Sequence, residues 1–199
     1  MVSICAALAA LTARAEPVPE ADREAIIARF VAQQDATETF QAELTQRLEL
    51  RGLKRPAEST GLLYYRAPDA LALHFTRPAG EFLIQTGRDS WRKKNHQPVV
   101  HQRDSNAHLL FLLFRRDGDV RTDFVFAMER DGDRLRVTLT PRQPDKFPHL
   151  VAIENTLAWP DLEIVSMRTV FEGGNVMQYD FANVRRNEPV PPAVFDVTR

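Results

Sequence analysis

Residues 61–91 read GLLYYRAPDALALHFTRPAGEFLIQTGRDSW, and this stretch decides the fold. Apolar and polar residues alternate through four short runs. Breaks fall at Ala67-Pro68-Asp69, Pro78-Ala79-Gly80 and Gly87-Arg88-Asp89. A period of two sends successive side chains to opposite faces of a strand, and Pro and Gly mark the turns between runs. The pattern predicts an antiparallel meander. Leu62 and Tyr64 share a face. Leu71, Leu73 and Phe75 share the next, with Ala72, His74 and Thr76 opposite. Phe82 and Ile84 follow, then Trp91.

On the N-terminal side, Pro19 to Gln34 predicts a helix. Ala25, Ile26, Phe30 and Val31 fall on one face at helical spacing, and Glu20 and Asp22 stand near the positive end of its dipole. From Phe40 the period shortens: Phe40, Ala42, Leu44, Leu48 and Leu50 fit a long half-buried strand. Phe40, Leu44 and Leu48 are also four apart, so a helical continuation through Leu44 stays open. Residues 51–59 (RGLKRPAES) read as a loop.

Past Trp91, residues 95–106 are polar and aperiodic, which predicts a loop. Ala107 to Arg115 (AHLLFLLFR) reads as a short apolar helix. Strand alternation returns at Phe124, Phe126 and Met128, turns at Arg130-Asp131-Gly132-Asp133, and continues through Leu135, Val137 and Leu139. After a Pro-rich link at 141–148, Val151, Ile153 and Leu157 form one strand, and Val165, Met167, Thr169 and Phe171 form the next. Gly173-Gly174-Asn175 is a strong hairpin signal before Met177, Tyr179 and Phe181. Pro189, Pro191 and Pro192 force an extended tail ending near Phe195. Roughly nine to eleven strands at spacings of about ten residues, with about two or three short helices, predict a mainly β, antiparallel sandwich or barrel.

The 199 residues allow one domain, at 44% hydrophobic and 27% charged. Twenty-six basic residues against 27 acidic ones argue against electrostatic capture of nucleic acid. The basic run Arg92-Lys93-Lys94 reads as a solvated strand end. Residues 1–15 differ from the rest. Val2 to Thr12 is small and apolar, and Ala13-Arg14-Ala15 fits a small-x-small cleavage site. We expect a secretory leader over residues 1–15 and a single domain over 16–199. No Lys or Arg precedes the apolar run, so the natural start is expected upstream. Cys5 is the sole cysteine and lies in this leader, with too few residues ahead of it to direct lipidation. A cleaved protein would have no thiol for disulfides or catalysis.

Catalytic patterns are sparse. His74, His96, His101, His108 and His149 form no metal-ligand motif, and His96 and His101 read as loop residues. There is no Gly-x-Ser-x-Gly elbow and no phosphate loop. Asp117-Gly118-Asp119 and Asp131-Gly132-Asp133 lack the further ligands of a calcium loop and read as turns. What stands out is Leu109 to Phe114, an unbroken run of large hydrophobes. It is either packed into the core or lids a cavity for an apolar ligand.

Taken in order, the motifs resemble a known family. They are Phe40-x-Ala-x-Leu-x-Gln46, Ser59-x-Gly61, Tyr64-x-x-x-Pro68, Phe75-x-x-Pro78, Gly87, Trp91, Phe181-x-Asn183, Asn187-x-Pro-x-Pro and Phe195. The chain resembles a divergent branch of LolA, the periplasmic carrier of outer-membrane lipoproteins. The resemblance implies an incomplete, strongly curved antiparallel β-barrel whose mouth is closed by helices over a hydrophobic cavity. It implies acyl chains of lipoproteins or other lipids as cargo, an inner-membrane donor complex and an outer-membrane acceptor. It implies a periplasmic monomer with no cofactor, no metal and no reaction. The expected cavity and lid residues are Tyr64, Leu71, Leu73, Phe75, Phe82, Ile84, Trp91, Leu109, Leu110, Leu113 and Phe114. In LolA proper an Arg stands immediately before the Pro of the second conserved strand and helps hold the lid. Here that position is Ala67, and Arg66 one residue earlier is the candidate latch. An offset of one turns a strand side chain to the other face. The divergent branch sits near polyene or glycolipid export, which offers another cargo. A sensor module of the same fold without transport is the second class of function, and a hydrolase using scattered His74 and Asp69 is the third.

Overall fold

The computed structural model describes residues 15–103, 109–114 and 120–197, with Leu109 and Phe111 described by backbone alone. The expected leader through Arg14, with Cys5, and likewise His108 and the expected turn at Asp117-Gly118-Asp119 lie outside the described residues. Twelve strands form one antiparallel sheet: β1 (Glu16–Pro17), β2 (Thr39–Glu49), β3 (Ala57–Arg66), β4 (Ala70–Arg77), β5 (Phe82–Thr86), β6 (Asp89–Lys93), β7 (Val100–Gln102), β8 (Phe124–Asp131), β9 (Arg134–Pro141), β10 (Leu150–Ala158), β11 (Glu163–Phe171) and β12 (Val176–Arg186). The spatial order is β1-β8-β9-β10-β11-β12-β2-β3-β4-β5-β6-β7. Two meanders are therefore joined where the long strands β12 and β2 pair, Tyr179 opposite Gln46 and Phe181 opposite Leu44. The sheet stays open between β1 and β7, an incomplete barrel rather than a closed one.

The expected meander is β3 to β6, with Leu63 opposite Leu73 and Ile84 opposite Trp91. The hairpin turns fall where Gly marked them: Gly80, Gly87, Gly132, Gly173 and Gly174 all have positive φ. Three boundaries depart from expectation. Strand β3 starts at Ala57, inside the expected loop, because Ala57 to Ser59 pair with Leu48 to Gln46. Ala57 and Glu58 are exposed, so no burial pattern marks them. Strand β7 lies inside the second expected loop and is exposed along its length, held by pairing with β6. Strand β12 runs on to Arg186 through a register shift between Ala182 and Arg185, where Asn183 takes a positive φ.

Helix α1 (Glu20–Asp35) begins one residue after Pro19 and crosses the inner face of the sheet. Ile26 and Ile27 are buried and Phe30 and Val31 pack beside them, while Ala25 is exposed. A single 310 turn, Leu109–Leu113, replaces the expected short helix, and a short α2 (Val120–Asp123) precedes β8. Further 310 turns occupy Pro144–Lys146 and, in the C-terminal tail, Pro192–Phe195.

Two apolar clusters result. The large one fills the inner face, from Phe40, Leu63, Tyr65, Leu71 and Leu73 through Leu110, Leu113 and Phe114 to Leu135, Ile153 and Met167. The small one, Ala72, Phe82 and Ile84, lies on the outer face of the meander. Tyr64, Trp91 and the tail residues Phe195 and Val197 pack over it.

Candidate functional site

The inner face divides into two halves with different packing. Beneath β2 to β4 it is filled by aromatic rings. Phe114 stacks on Tyr65 with centroids 4.2 Å apart and lies 4.9 Å from Phe40. Leu71, Leu73 and Leu110 are fully buried in this half, and Phe75 packs at its margin. Beneath β8 to β11 the face is mostly aliphatic and leaves a narrow cleft open at its mouth. Its walls are Phe126 and Met128 of β8, Val137 and Leu139 of β9, Ile153, Asn155 and Leu157 of β10, and Met167 of β11. Its roof is Ile26, Ile27 and Phe30 of α1, Leu112 and Leu113 of the 310 turn, and Val120 of α2. Among the described residues every lining side chain except Asn155 is apolar.

The roof is tied down by polar contacts from α1. Buried Gln34 donates through Nε2 to the carbonyls of Leu113 (2.8 Å) and Leu112 (3.2 Å), capping the 310 turn from the helix. Arg29 donates to the Pro160 carbonyl at 2.8 Å and stands 5.8 Å from the Trp159 ring, fixing the same helix to the β10–β11 turn. Arg121 of α2 pairs with Glu24 at 3.1 Å. Behind the roof, Arg186 donates twice to Glu163 (3.1 and 3.3 Å) and once to Thr37 Oγ1 at 3.1 Å, over the Phe40 ring.

The sequence-expected cavity residues are distributed unevenly. Leu113 alone, among those with described side chains, lines this cavity. Leu71, Leu73, Leu110 and Phe114 belong to the same inner cluster but to its solid half. Tyr64, Phe82, Ile84 and Trp91 stand on the opposite face of the sheet, under the tail. The reason is the register: Tyr64 pairs with Ala72, Ala72 with Ile84 and Ile84 with Trp91, a row that shares one face, while Leu63, Leu73 and Leu83 form the row behind it. The Leu109 side chain lies outside the described residues. The wall that does line the cavity, Phe126 to Met167, shows in sequence only as ordinary strand alternation.

Arg66 also faces outward. Its guanidinium lies 4.5 Å from the Phe195 ring centroid, against the tail, whereas Ala67 packs on the inner cluster. His74 likewise meets the tail, with Nε2 at 2.6 Å from the Val194 carbonyl. His101 stacks on Trp91 and pairs with Asp89 at 2.8 Å. Among the described residues no group of three or more His, Cys, Asp or Glu stands close enough to hold a metal ion. No helix among them is long and apolar enough to cross a membrane.

The inner face also carries a polar strip. Gln46 donates to Tyr179 Oη at 3.0 Å, and Tyr179 donates to Met177 Sδ at 2.9 Å. Burial raises the Tyr179 phenol above its ordinary pKa, and the Gln46 hydrogen bond opposes only part of that shift. Gln46, quoted above as part of the first-strand motif, is thus the residue that satisfies a buried tyrosine.

Comparison with solved structures agrees on the fold. A DUF1329 family protein from Desulfovibrio piger is 12% identical with a TM-score of 0.52, over 87% of this chain and 97% of that one. An uncharacterized conserved protein from Thermus thermophilus is 14% identical with a TM-score of 0.50, over 85% and 90%. The MucA/MucB complex of Pseudomonas aeruginosa matches at 12% identity and a TM-score of 0.51, with 88% of this chain spanning 60% of that one. Among curated proteins no match is found. The model of outer membrane lipoprotein carrier protein LolA matches residues 35–198, from the end of α1 through the tail. An open antiparallel sheet roofed by α1 and a 310 turn, with this match along most of its length, places the chain in the LolA family.

Proposed function

We propose that the protein is a periplasmic carrier that shelters acyl chains of lipoproteins or other lipids and delivers them toward the outer membrane. The observation that carries this reading is the cavity under α1 and the 310 turn, whose described lining is apolar but for one residue. Burying a methylene is worth about 0.8 kcal/mol, so a chain of about sixteen carbons gains on the order of 12 kcal/mol gross. The cavity is a narrow cleft, so a chain enters by parting the roof from the wall. The roof suits that motion. It is centred on a short 310 turn tied to α1 by two Gln34 hydrogen bonds, and parting it would offer the buried side chains of Leu110 and Leu113 to the cargo. A carrier must release as well as bind, and the work of reopening the roof lowers net affinity. In this reading residues 1–15 are the export signal, and the chain takes cargo from an inner-membrane donor and yields it to an outer-membrane acceptor. No reaction and no cofactor is involved. Leu71, Leu73, Leu110 and Phe114 extend the greasy surface once the roof lifts.

Native mass spectrometry of protein purified from a periplasmic extract tests the reading. Adducts of lipid mass are expected. Adduct-free protein that also fails to take up added fatty acid would rule the carrier out. A second reading, a lipid-responsive module that docks a partner protein without transport, draws on the likeness to the MucA/MucB complex. A transfer assay to acceptor vesicles separates the two: a carrier gives up its lipid, and a sensor retains it.

A further inference from the structure

Strand β10 sends Ile153, Asn155 and Leu157 to the inner face. An amide at the middle of that row breaks an otherwise apolar wall. Its cross-strand neighbours are Val137 on β9 and Met167 on β11, neither of which offers a conventional donor or acceptor from its side chain. Asn155 is 7% exposed, lines the cavity, and among the described residues nothing donates to its Oδ1. On the adjoining strand Thr169, opposite Ile153, is 0% exposed and its Oγ1 is also without a partner. Gln46 and Tyr179 hydrogen-bond to each other. Asn155, the one polar residue among the described residues lining the cavity, has a buried Oδ1 with no partner. A buried polar group left unpaired destabilises a fold, and an apolar side chain of similar size at this position would remove that penalty.

Resting on the carrier reading, we infer that Asn155 is a specificity residue that hydrogen-bonds a hydroxyl or secondary amide set along the apolar chain of the cargo. Both groups supply a donor and an acceptor, so they satisfy the Asn amide whichever way it is turned. The rest of the described lining offers the ligand only apolar side chains. A plain saturated chain would leave the amide as unpaired in the complex as it is without ligand, and gains nothing from it. Two lipid sources share this chemistry: hydroxylated acyl chains and chains joined through an N-acyl amide.

Displacement of a fluorescent fatty acid from the full-length mature protein tests this with three probes of matched chain length: a plain saturated fatty acid, its β-hydroxy derivative and an N-acylated glycine. The wild type is expected to prefer the hydroxy or the amide probe over the plain one by about tenfold, equivalent to about 1.4 kcal/mol. Whichever of the two leads identifies the lipid source. Asn155→Leu is expected to erase that preference while binding the plain acid at least as well, and to unfold at an equal or higher temperature. Asn155→Val is the alternative should the leucine overpack. Equal binding of all three probes by the wild type overturns the inference and leaves the carrier reading standing. So does a preference that survives in both variants, or a marked drop in their unfolding temperatures, which would make Asn155 a structural residue. Failure of every probe to bind overturns the carrier reading and this inference together.

Discussion

Gly61 sits at the register shift between Thr60 and Gly61, where β3 closes on β4. A Cβ built there would lie 2.5 Å from the His74 carbonyl oxygen and 3.1 Å from Phe75 Cα. Both are backbone atoms and neither can turn aside. Gly61→Ala is therefore expected to destabilise the fold by about 1–3 kcal/mol, read as a lowered urea midpoint. Asn187 works in the opposite sense, by adding contacts. Its φ is +57°, a region Asn tolerates better than most residues. Its Oδ1 accepts from the Glu38 N–H at 2.7 Å and its Nδ2 donates to the Ala36 carbonyl at 2.9 Å. The end of β12 is thereby tied to the α1–β2 link. Asn187→Ala loses both bonds, and an expected cost of about 1–3 kcal/mol is measurable by thermal unfolding. Both residues belong to the motifs that carried the family resemblance, and both act on backbone geometry.

At the scale of elements, the roof and the tail are the parts with separable roles. Gln34 is buried, and its two bonds to the 310 turn cross 78 and 79 residues of sequence. Gln34→Leu keeps the burial and deletes both bonds. Faster amide hydrogen exchange is expected over residues 110–113, with the protection of β9 and β10 unchanged. Equal exchange in wild type and variant would show that packing alone holds the roof. The tail covers the outer face of the meander through Phe195 on Arg66 and Val194 on His74. That is why strands with apolar residues on both faces, such as Leu62/Leu63 and Tyr64/Tyr65, persist at one end of an open sheet. Inner residues pack under Phe114, and outer residues pack under the C-terminus.

For the molecule as a whole, the polar strip beside the cavity ties stability to pH. Tyr179 is buried, and burial raises its folded pKa above the ordinary tyrosine value of about 10, so the neutral phenol is favoured in the native state. Its contribution is fully present below about pH 10, where both states are protonated. Above that, the unfolded chain releases a proton that the folded chain retains, and stability falls as pH rises toward the raised folded value. Chemical denaturation at stepped alkaline pH is expected to show this loss in the wild type. Tyr179→Phe is expected to flatten it while lowering stability near neutrality by the loss of the Gln46 bond. An identical alkaline slope in both proteins would assign the effect elsewhere.

The sequence by itself determined the element types, the turns and the antiparallel class. Alternation and turn chemistry are local, and Gly80, Gly87, Gly132 and Gly173 each sit where a positive φ was needed. Weakly patterned pieces escaped it: exposed β7 and the start of β3 are strands by pairing alone, and pairing is not local. The tertiary structure decided where the cavity lies. Period two separates the faces of each strand but does not say which face curves inward. The inner face of Gly61 to Trp91 is filled by Tyr65, Phe40 and Phe114, and its outer face is covered by the tail. The space is left under the less conspicuous strands β8 to β11, where mostly aliphatic side chains, with Phe126 and Phe30, meet α1 without filling the gap. Volume left unfilled is a property of all the side chains around it at once, and no single stretch of sequence carries it.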